Sequence, residues 1–294
     1  MIINKLIFFF GFLTSYFDFK FFYNLNKMIT IFISKKKIIK IKLNLDSNFS
    51  FLLNDPYYNR LIYPKYKYEP EIEFILQKLK HINFLFVDAG ANYGYWSTLI
   101  SSKKFRNKKV IALEPLKSNY YFLYKNKQDN KKRFKILNLG VGEKKKYCKI
   151  YYNKDSSNVG ASIYKDKNKR LNSEIIKINK IDNILSKIKK KNYVLKLDVE
   201  GNEINALKGA KQTLNKNCLI IYEDHGKDKS HLNTKYLFKN NFLVYYLDKE
   251  KIYQIKKINE LNLIKRINHK GYNFIATKSL LFQISLKKIL NENN

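Results

Sequence analysis

Residues Phe84-Leu85-Phe86-Val87 form an unbroken apolar run that ends in Asp88-Ala89-Gly90-Ala91-Asn92-Tyr93-Gly94, and Tyr95 to Ser102 then read as a helix. A run without polar alternation is what a strand buried on both faces of a parallel sheet requires, and parallel strands need a crossover, here the helix. Strand, glycine turn and helix in that order is the first unit of a doubly wound α/β sheet that binds a nucleotide at its strand ends. Gly90 lets the backbone turn tightly beneath a ligand, and Gly94 permits close approach at the helix start. The glycine spacing is G-x-x-x-G, not G-x-G-x-x-G. The pyrophosphate fingerprint is therefore absent, which counts against NAD or FAD. The strand ends instead in an acid, which suits a cationic or amine-bearing ligand. S-adenosylmethionine carries both an amino group and a sulfonium.

The downstream pattern repeats the unit. Val110-Ile111-Ala112-Leu113 ends in Glu114, twenty residues after Gly94. An acid at that place can accept hydrogen bonds from both ribose hydroxyls. Pro115 stops the strand, and Ser118 to Lys127 resume a helix. A third strand, Phe134 to Leu139, closes on Gly140-Val141-Gly142, which leaves space beside an adenine ring. The fourth strand, Tyr193 to Glu200, leads through Gly201-Asn202-Glu203 into a helix over Ile204 to Leu214. The fifth, Cys218 to Tyr222, ends in Glu223-Asp224-His225-Gly226. Phe242 to Leu247 and Tyr272 to Ala276 supply the last two. The expected architecture is α/β and Rossmann-like: a mostly parallel sheet of about seven strands with helices on both faces. Asp88 or Glu114 alone could be a cap for the following helix. Both standing at strand ends at this interval favours a ligand.

Residues 1–67 read as an N-terminal extension, 68–285 as the main domain and 286–294 as a tail. Leu6 to Phe17 is nearly all apolar, but twelve residues make a helix of about 18 Å, short of the ~30 Å hydrocarbon core. It follows Lys5 like a signal sequence, yet no small-x-small cleavage site comes after it. The readings are a helix packed on the main domain, an interfacial anchor helped by lysines, or a signal. Ile39 to Leu45 alternates apolar and polar residues, as a half-buried antiparallel strand does, and 49–63 reads as a second strand or a loop. Glu69-Pro70 opens a helix with Glu71 and Glu73 near its positive end and Ile72, Ile75, Leu76 and Leu79 on one face.

From Tyr68-Glu69-Pro70 to about Ala276 the chain resembles the FkbM family of S-adenosylmethionine-dependent methyltransferases. The resemblance rests on FVDAGANYGYWS at 86–97, VIALEP at 110–115, VGASI at 159–163 and IKINKIDNIL at 176–185, and most specifically on LKLDVEGNEINALKGA at 195–210. It implies the class I methyltransferase fold and, as is usual in the family, O-methylation of hydroxyls on sugars, polyketides or related metabolites. It also implies a donor site at Glu69, Asp88, Gly90, Asn92, Gly94, Glu114 and Asp198. One departure is Asn202, where many members carry His.

Methyl transfer is an in-line displacement at a sulfonium carbon, so alignment is the main task, together with removal of the acceptor proton. The candidate catalytic residues are Asp198, Glu200 and His225, with Glu203 a weaker candidate base. Residues 198 and 200 project to one side if the strand continues, and imidazole is the side-chain type that ordinarily titrates nearest neutrality. Each has a plainer reading: His225 as a solvated loop residue, Glu200 and Glu203 as helix caps. Asp198 with Glu223, Asp224 and His225 could instead hold Mg²⁺ or a similar hard cation, although no residue is assigned to metal, and no spacing supports zinc. Asn54-Asp55-Pro56-Tyr57 is similar to the Asn/Asp-Pro-Pro-aromatic clamp of base methyltransferases, but it has one Pro and precedes the first cofactor strand, so a turn is expected. Ser156 to Ser162 reads as an acceptor-side lid or a hairpin loop.

The formal charge of +34 would suggest nucleic acid, but lysine supplies 53 of the 58 basic residues and arginine only five. Base readout prefers arginine; scattered lysine makes a diffuse field. With abundant Asn, Ile, Phe and Tyr, the bias looks like that of a genome poor in G and C. A small-molecule or glycan acceptor is expected rather than a specific nucleic acid, with peripheral contact at the inner face of a membrane through residues 1–30. Cys148 and Cys218 form neither a disulfide framework nor a four-thiolate zinc site, which fits a cytoplasmic setting. The alternatives are a nucleic-acid methyltransferase or RNA-binding protein, and a degenerate member of the fold without turnover. Acceptor and oligomeric state are not encoded in any local pattern.

Overall fold

The computed structural model describes residues 37–53, 55, 57–63, 65–152, 161–164, 171–267 and 270–292. The apolar segment 6–17, Asn54, Pro56 and most of 156–162 lie outside them.

The alternating segment is strand β1 (Ile38–Asn44), which pairs antiparallel with β2 (Ser47–Leu52) in the register Ile39↔Phe51 and Ile41↔Phe49. Phe49 and Phe51 are fully buried in the main core, so the boundary placed at 67/68 is not a packing boundary. Helix α1 (Pro70–Lys78) begins at its proline as expected and buries Ile72, Ile75 and Leu76. Then come β3 (Leu85–Ala89), α2 (Tyr95–Ile100), β4 (Lys109–Leu113), α3 (Lys117–Asp129), β5 (Lys135–Leu137), β6 (Gly140–Val141), β7 (Lys146–Tyr152) and β8 (Asn172–Asn179). Next are α4 (Ile181–Leu185), β9 (Asn192–Leu197), α5 (Glu203–Lys208), α6 (Lys211–Leu214), β10 (Asn217–His225), α7 (Leu232–Lys239) and β11 (Leu243–Asp248). The chain closes with β12 (Lys251–Ile255), α8 (Asn259–Ile264), β13 (Gly271–Thr277) and α9 (Leu280–Glu292).

The main sheet runs β12-β11-β13-β10-β9-β3-β4-β5. Strands β5, β4, β3, β9 and β10 are parallel, while β13 is antiparallel to both of its neighbours. The chain builds outward from β3 through β4 to β5, then returns to place β9 on the other side of β3. The strand order therefore reverses at β3/β9, and the crevice at their carboxyl ends is where such sheets bind ligands. Successive residues of each strand enter opposite layers. Phe86, Ala112, Val194 and Ile221 join α1, α2, α3 and α9 on one face. Val87, Leu113, Leu195 and Ile220 join α4 to α8 on the other.

Four details differ from the expectations. The sheet has eight strands rather than about seven, because Lys251-Ile252-Tyr253-Gln254-Ile255 alternates and folds back on β11. The helix expected over Ile204–Leu214 is two: the Gly209 carbonyl accepts from the Asp182 amide, and the Asp182 carboxylate caps α6 through the Gln212 and Thr213 amides. Residues 286–292 are not a tail but the last turns of α9, with Leu286 and Ile289 buried. The third strand is short: it ends at Leu137, and from Gly140 the chain starts a separate sheet ordered β6-β8-β7, whose Ile150, Ile176 and Ile178 pack on Leu116.

Candidate functional site

One cavity of about 760 Å³ opens at the carboxyl ends of β3, β4, β9 and β10. It gathers Glu69, Asp88, Gly90, Asn92, Glu114, Asp198, Glu200 and His225 from five separate stretches of sequence. Gly94 is the exception. It does not line the cavity; it has φ +86° at the start of α2, and a Cβ there would meet Leu123 Cδ1 at 2.5 Å. It packs the start of α2 against Leu123.

The floor is the turn after β3. The Gly90 and Ala91 amides both donate to the Leu113 carbonyl on one side, and the Asp198 amide donates to the Ala89 carbonyl on the other. At Gly90, with φ +79°, a Cβ would lie 1.7 Å from the Asp198 carbonyl oxygen. Only glycine fits, because neighbouring strand ends close over it. Asp88, fully buried, accepts from the Ser97 hydroxyl at 2.6 Å and so anchors the first turn of α2. Burial raises its pKa, an effect that nearby Lys196 only partly offsets.

One wall of the cavity is built on Glu114. Its Oε2 accepts from the Asn92 amide at 2.9 Å and its Oε1 from the Leu116 amide at 3.0 Å. The Asn119 side chain also hydrogen-bonds to it. The capping contacts are therefore real, but a carboxylate with about four acceptor positions still has room for a further donor. Burial pushes this carboxyl up to about 7. Beside it, the buried side-chain oxygens of Asn92 and Asn119 have no hydrogen-bond partner, and Pro115, Leu139 and Gly140 continue the wall. Buried acceptors without donors are costly unless something supplies the donors. Ribose hydroxyls and an adenine amine are such donors, and the apolar face formed by Ile150, Ile176 and Ile178 of the small sheet suits a purine ring. The residues present thus fit an adenosyl ligand.

Beneath the centre lies Lys196, which the sequence reading passed over. Its ammonium is 2.8 Å from Asp198 Oδ2 and is almost wholly buried. Burial works against its charge. The carboxylates of Asp198, Glu69 and Asp88 outweigh that and hold it well above its ordinary value. The signal was available: a lysine inside the apolar run Tyr193 to Leu197 must be paired if the strand is buried. Glu69, at the start of α1 with φ +44°, accepts from the Trp96 indole at 2.6 Å. Burial raises its pKa as well.

The acceptor-side expectations fare differently. Strand β9 stops at Leu197 and Glu200 has φ +50°, so Asp198 and Glu200 are not strand neighbours on one face, although both line the cavity. Glu203 does not line it; its Oε1 accepts from the Val199 and Gly201 amides and ties the turn. Asn202 donates to the Val141 carbonyl at 2.7 Å and accepts from Asn205 at 2.7 Å, which makes it a brace between the β9 turn and the small sheet. The cation reading with Asp198, Glu223, Asp224 and His225 fails on strand geometry. Glu223 and His225 face the cavity, while Asp224 points to the opposite layer and pairs with buried Lys265 at 2.8 Å. Among the described residues no group of three or more His, Cys, Asp or Glu side chains converges. Asp55 accepts from the Tyr57 and Tyr58 amides, so this part of the Asn54–Tyr57 segment forms a capped turn.

Residues 88–255 match the family model described as the methyltransferase FkbM domain. No curated protein matches the chain. Solved structures that resemble it include a methyltransferase FkbM from Methylobacillus flagellatus KT, with 18% identity over 75% of this chain and 55% of that one, at a TM-score of 0.42. A precorrin-6y C5,15-methyltransferase from Geobacter metallireducens GS-15 has 11% identity over 74% and 91% of the two chains, at 0.41. The N-terminal domain of human METTL16 in complex with SAH has 10% identity over 72% and 71%, at 0.39. The chain thus spans 55% of the length of the FkbM structure.

Proposed function

Because the chain belongs to the FkbM methyltransferase family and has the class I methyltransferase fold, we propose that it binds S-adenosylmethionine in this crevice and methylates a hydroxyl of a sugar, glycan or related metabolite. The observation that carries the donor half is the Glu114 corner: a buried carboxylate flanked by two buried amide oxygens that lack donors. S-adenosylmethionine supplies an activated methyl on a sulfonium. The chain supplies the rest. Glu114, Asn92 and Asn119 hold the adenosyl end, Gly90 lets the backbone lie flat beneath it, and Asp198 with Glu69 puts negative charge near a cationic centre. Such fixed positioning lowers the entropic cost of bringing the two reactants into line.

The acceptor half rests on charge. The cavity is lined by Glu69, Glu71, Asp88, Glu114, Asp198, Glu200 and Glu223 against Arg60, Lys67, Lys196 and Lys270. In a chain of +34, an acid-rich cavity disfavours a phosphate-bearing strand and favours a neutral polyol, whose hydroxyls donate to carboxylates while Tyr57 offers an aromatic edge. The experiment is methyl transfer from labelled S-adenosylmethionine to methyl glycosides and, in parallel, to RNA. Product on RNA alone would sink the acceptor half.

Peripheral membrane contact through residues 1–30 is part of the proposal. No helix among the described residues is long and apolar enough to cross a membrane. A chain starting at Thr30 should sediment less with anionic vesicles; equal sedimentation would remove this element.

A further inference from the structure

We infer that Glu223 is the group that takes the proton from the acceptor, and that Gly271 exists to seat it. Glu223 stands near the end of β10, next in the sheet to the Asp198 end of β9, on the side of β9 away from Glu114. At about 4.8 Å per strand, β10 lies roughly 14 Å across the sheet from β4. One end of the crevice therefore serves the ribose and the other is left for the acceptor. The Glu223 side chain leans along its strand toward His225, and its Oε1 is 3.7 Å from the His225 ring nitrogen. It occupies the space above Gly271, the residue paired with His225 across the ladder: a Cβ on Gly271 would lie 1.5 Å from Glu223 Oε1. Any other residue at 271 would drive the carboxylate out of this position.

The other candidates are worse placed. Asp198 already binds the Lys196 ammonium. Glu200 is exposed beyond the strand end, and the His225 side chain is half exposed. Glu223 is faced by Asp198 and Lys196 from β9, Glu200 from the following turn, Glu69 from the start of α1, His225 on its own strand, and Tyr57 and Lys270 at the cavity wall. Burial first, then the charges of Asp198, Glu69 and Glu200, raise its pKa well above the carboxylate range, with Lys196 opposing. A base poised near neutrality is the most effective kind.

The inference rests on the methyl-transfer reading. In that step the acceptor oxygen forms the new bond to the methyl carbon with its lone pair. The carbon–sulfur pair stays on sulfur, leaving S-adenosylhomocysteine, and the hydroxyl proton passes to Glu223.

The experiment uses the full chain labelled with ¹³C at glutamate carboxyls. The resonance lost in Glu223→Gln should titrate well above the ordinary value of about 4.3, and Gly271→Ala should return it toward that value. An ordinary midpoint in the wild type overturns the assignment. Where wild type methylates a methyl glycoside, Glu223→Gln should lose roughly 10²–10⁴ in rate at unchanged affinity for S-adenosylhomocysteine, with Glu223→Asp recovering part. A Glu223→Gln chain with wild-type rate and pH profile also overturns it. Failure of wild type to bind S-adenosylhomocysteine would instead remove the methyl-transfer reading, and the carboxyl titration would still decide the state of Glu223.

Discussion

The ammonium of Lys196 lies 2.8 Å from Asp198 Oδ2, and Asp88 is its register partner on the neighbouring strand. One buried cation thus answers three carboxylates, those of Asp198, Glu69 and Asp88. Lys196→Met should cost about 3–5 kcal/mol at pH 7, since breaking a buried pair leaves charge without compensation. Without the lysine, the folded-state pKa values of Glu69 and Asp88 rise further above their unfolded values. The variant should therefore be most stable in acid and lose stability as pH rises toward neutrality. Urea titrations at pH 5 and 7 measure this; equal losses at both would mean the lysine only fills space.

Glu114 gives a second pH-dependent prediction. Its folded pKa is raised from 4.5 to about 7 by burial, so the folded state holds this proton longer than the unfolded chain does. Its contribution is present in full below about 4.5 and is lost as pH rises through about 7, on the order of 3 kcal/mol in total. Ligand-free wild type should lose stability relative to Glu114→Gln across that window. Donor binding should run the other way, strengthening as the carboxyl ionises. Glu114→Gln should bind S-adenosylhomocysteine about 1–3 kcal/mol more weakly at pH 8. Calorimetry at pH 6 and 8 checks both signs, and unchanged affinity would reduce Glu114 to a cap.

Two glycines in the cavity wall should respond differently to alanine. Gly90→Ala forces a Cβ to within 1.7 Å of the Asp198 carbonyl at φ +79°. It should cost about 3 kcal/mol or more and abolish donor binding. At Gly140 a Cβ would meet Ile176, Ile178 and Pro115 at 3.6–3.7 Å, which is ordinary contact. Gly140→Ala should melt within a few degrees of wild type. Thermal melts that rank the two in the opposite order would contradict the account of the floor.

Asn202 should prove structural. Asn202→Ala strands the Val141 carbonyl and should cost about 1–3 kcal/mol, with kcat reduced only slightly. Wild-type stability combined with collapsed turnover would restore a catalytic role to this position.

The donor side was legible because it is local. A single apolar run, its terminal acid and a glycine turn lie within eleven consecutive residues, 84–94, and strand physics gives each a direction. Glu114 followed from the same rule one strand later. The acceptor side depends on contacts distant in sequence, which no local pattern reports. Glu223 meets Gly271 across 48 positions. The placing of Asp224 away from the cavity is legible too, because period-two alternation sends it to the face opposite Glu223 and His225. The small sheet at the cavity leaves little local signal, because β6 is two residues long and Lys146 to Tyr152 reads mainly as charge and tyrosine.

Titration calorimetry with S-adenosylhomocysteine and NAD tests most directly whether the β3/β9 crevice is a methyl-donor site. We expect S-adenosylhomocysteine to bind the wild type with a Kd on the order of micromolar, about −8 kcal/mol, and NAD to give no heat. Tight binding of NAD with none of S-adenosylhomocysteine would contradict the account.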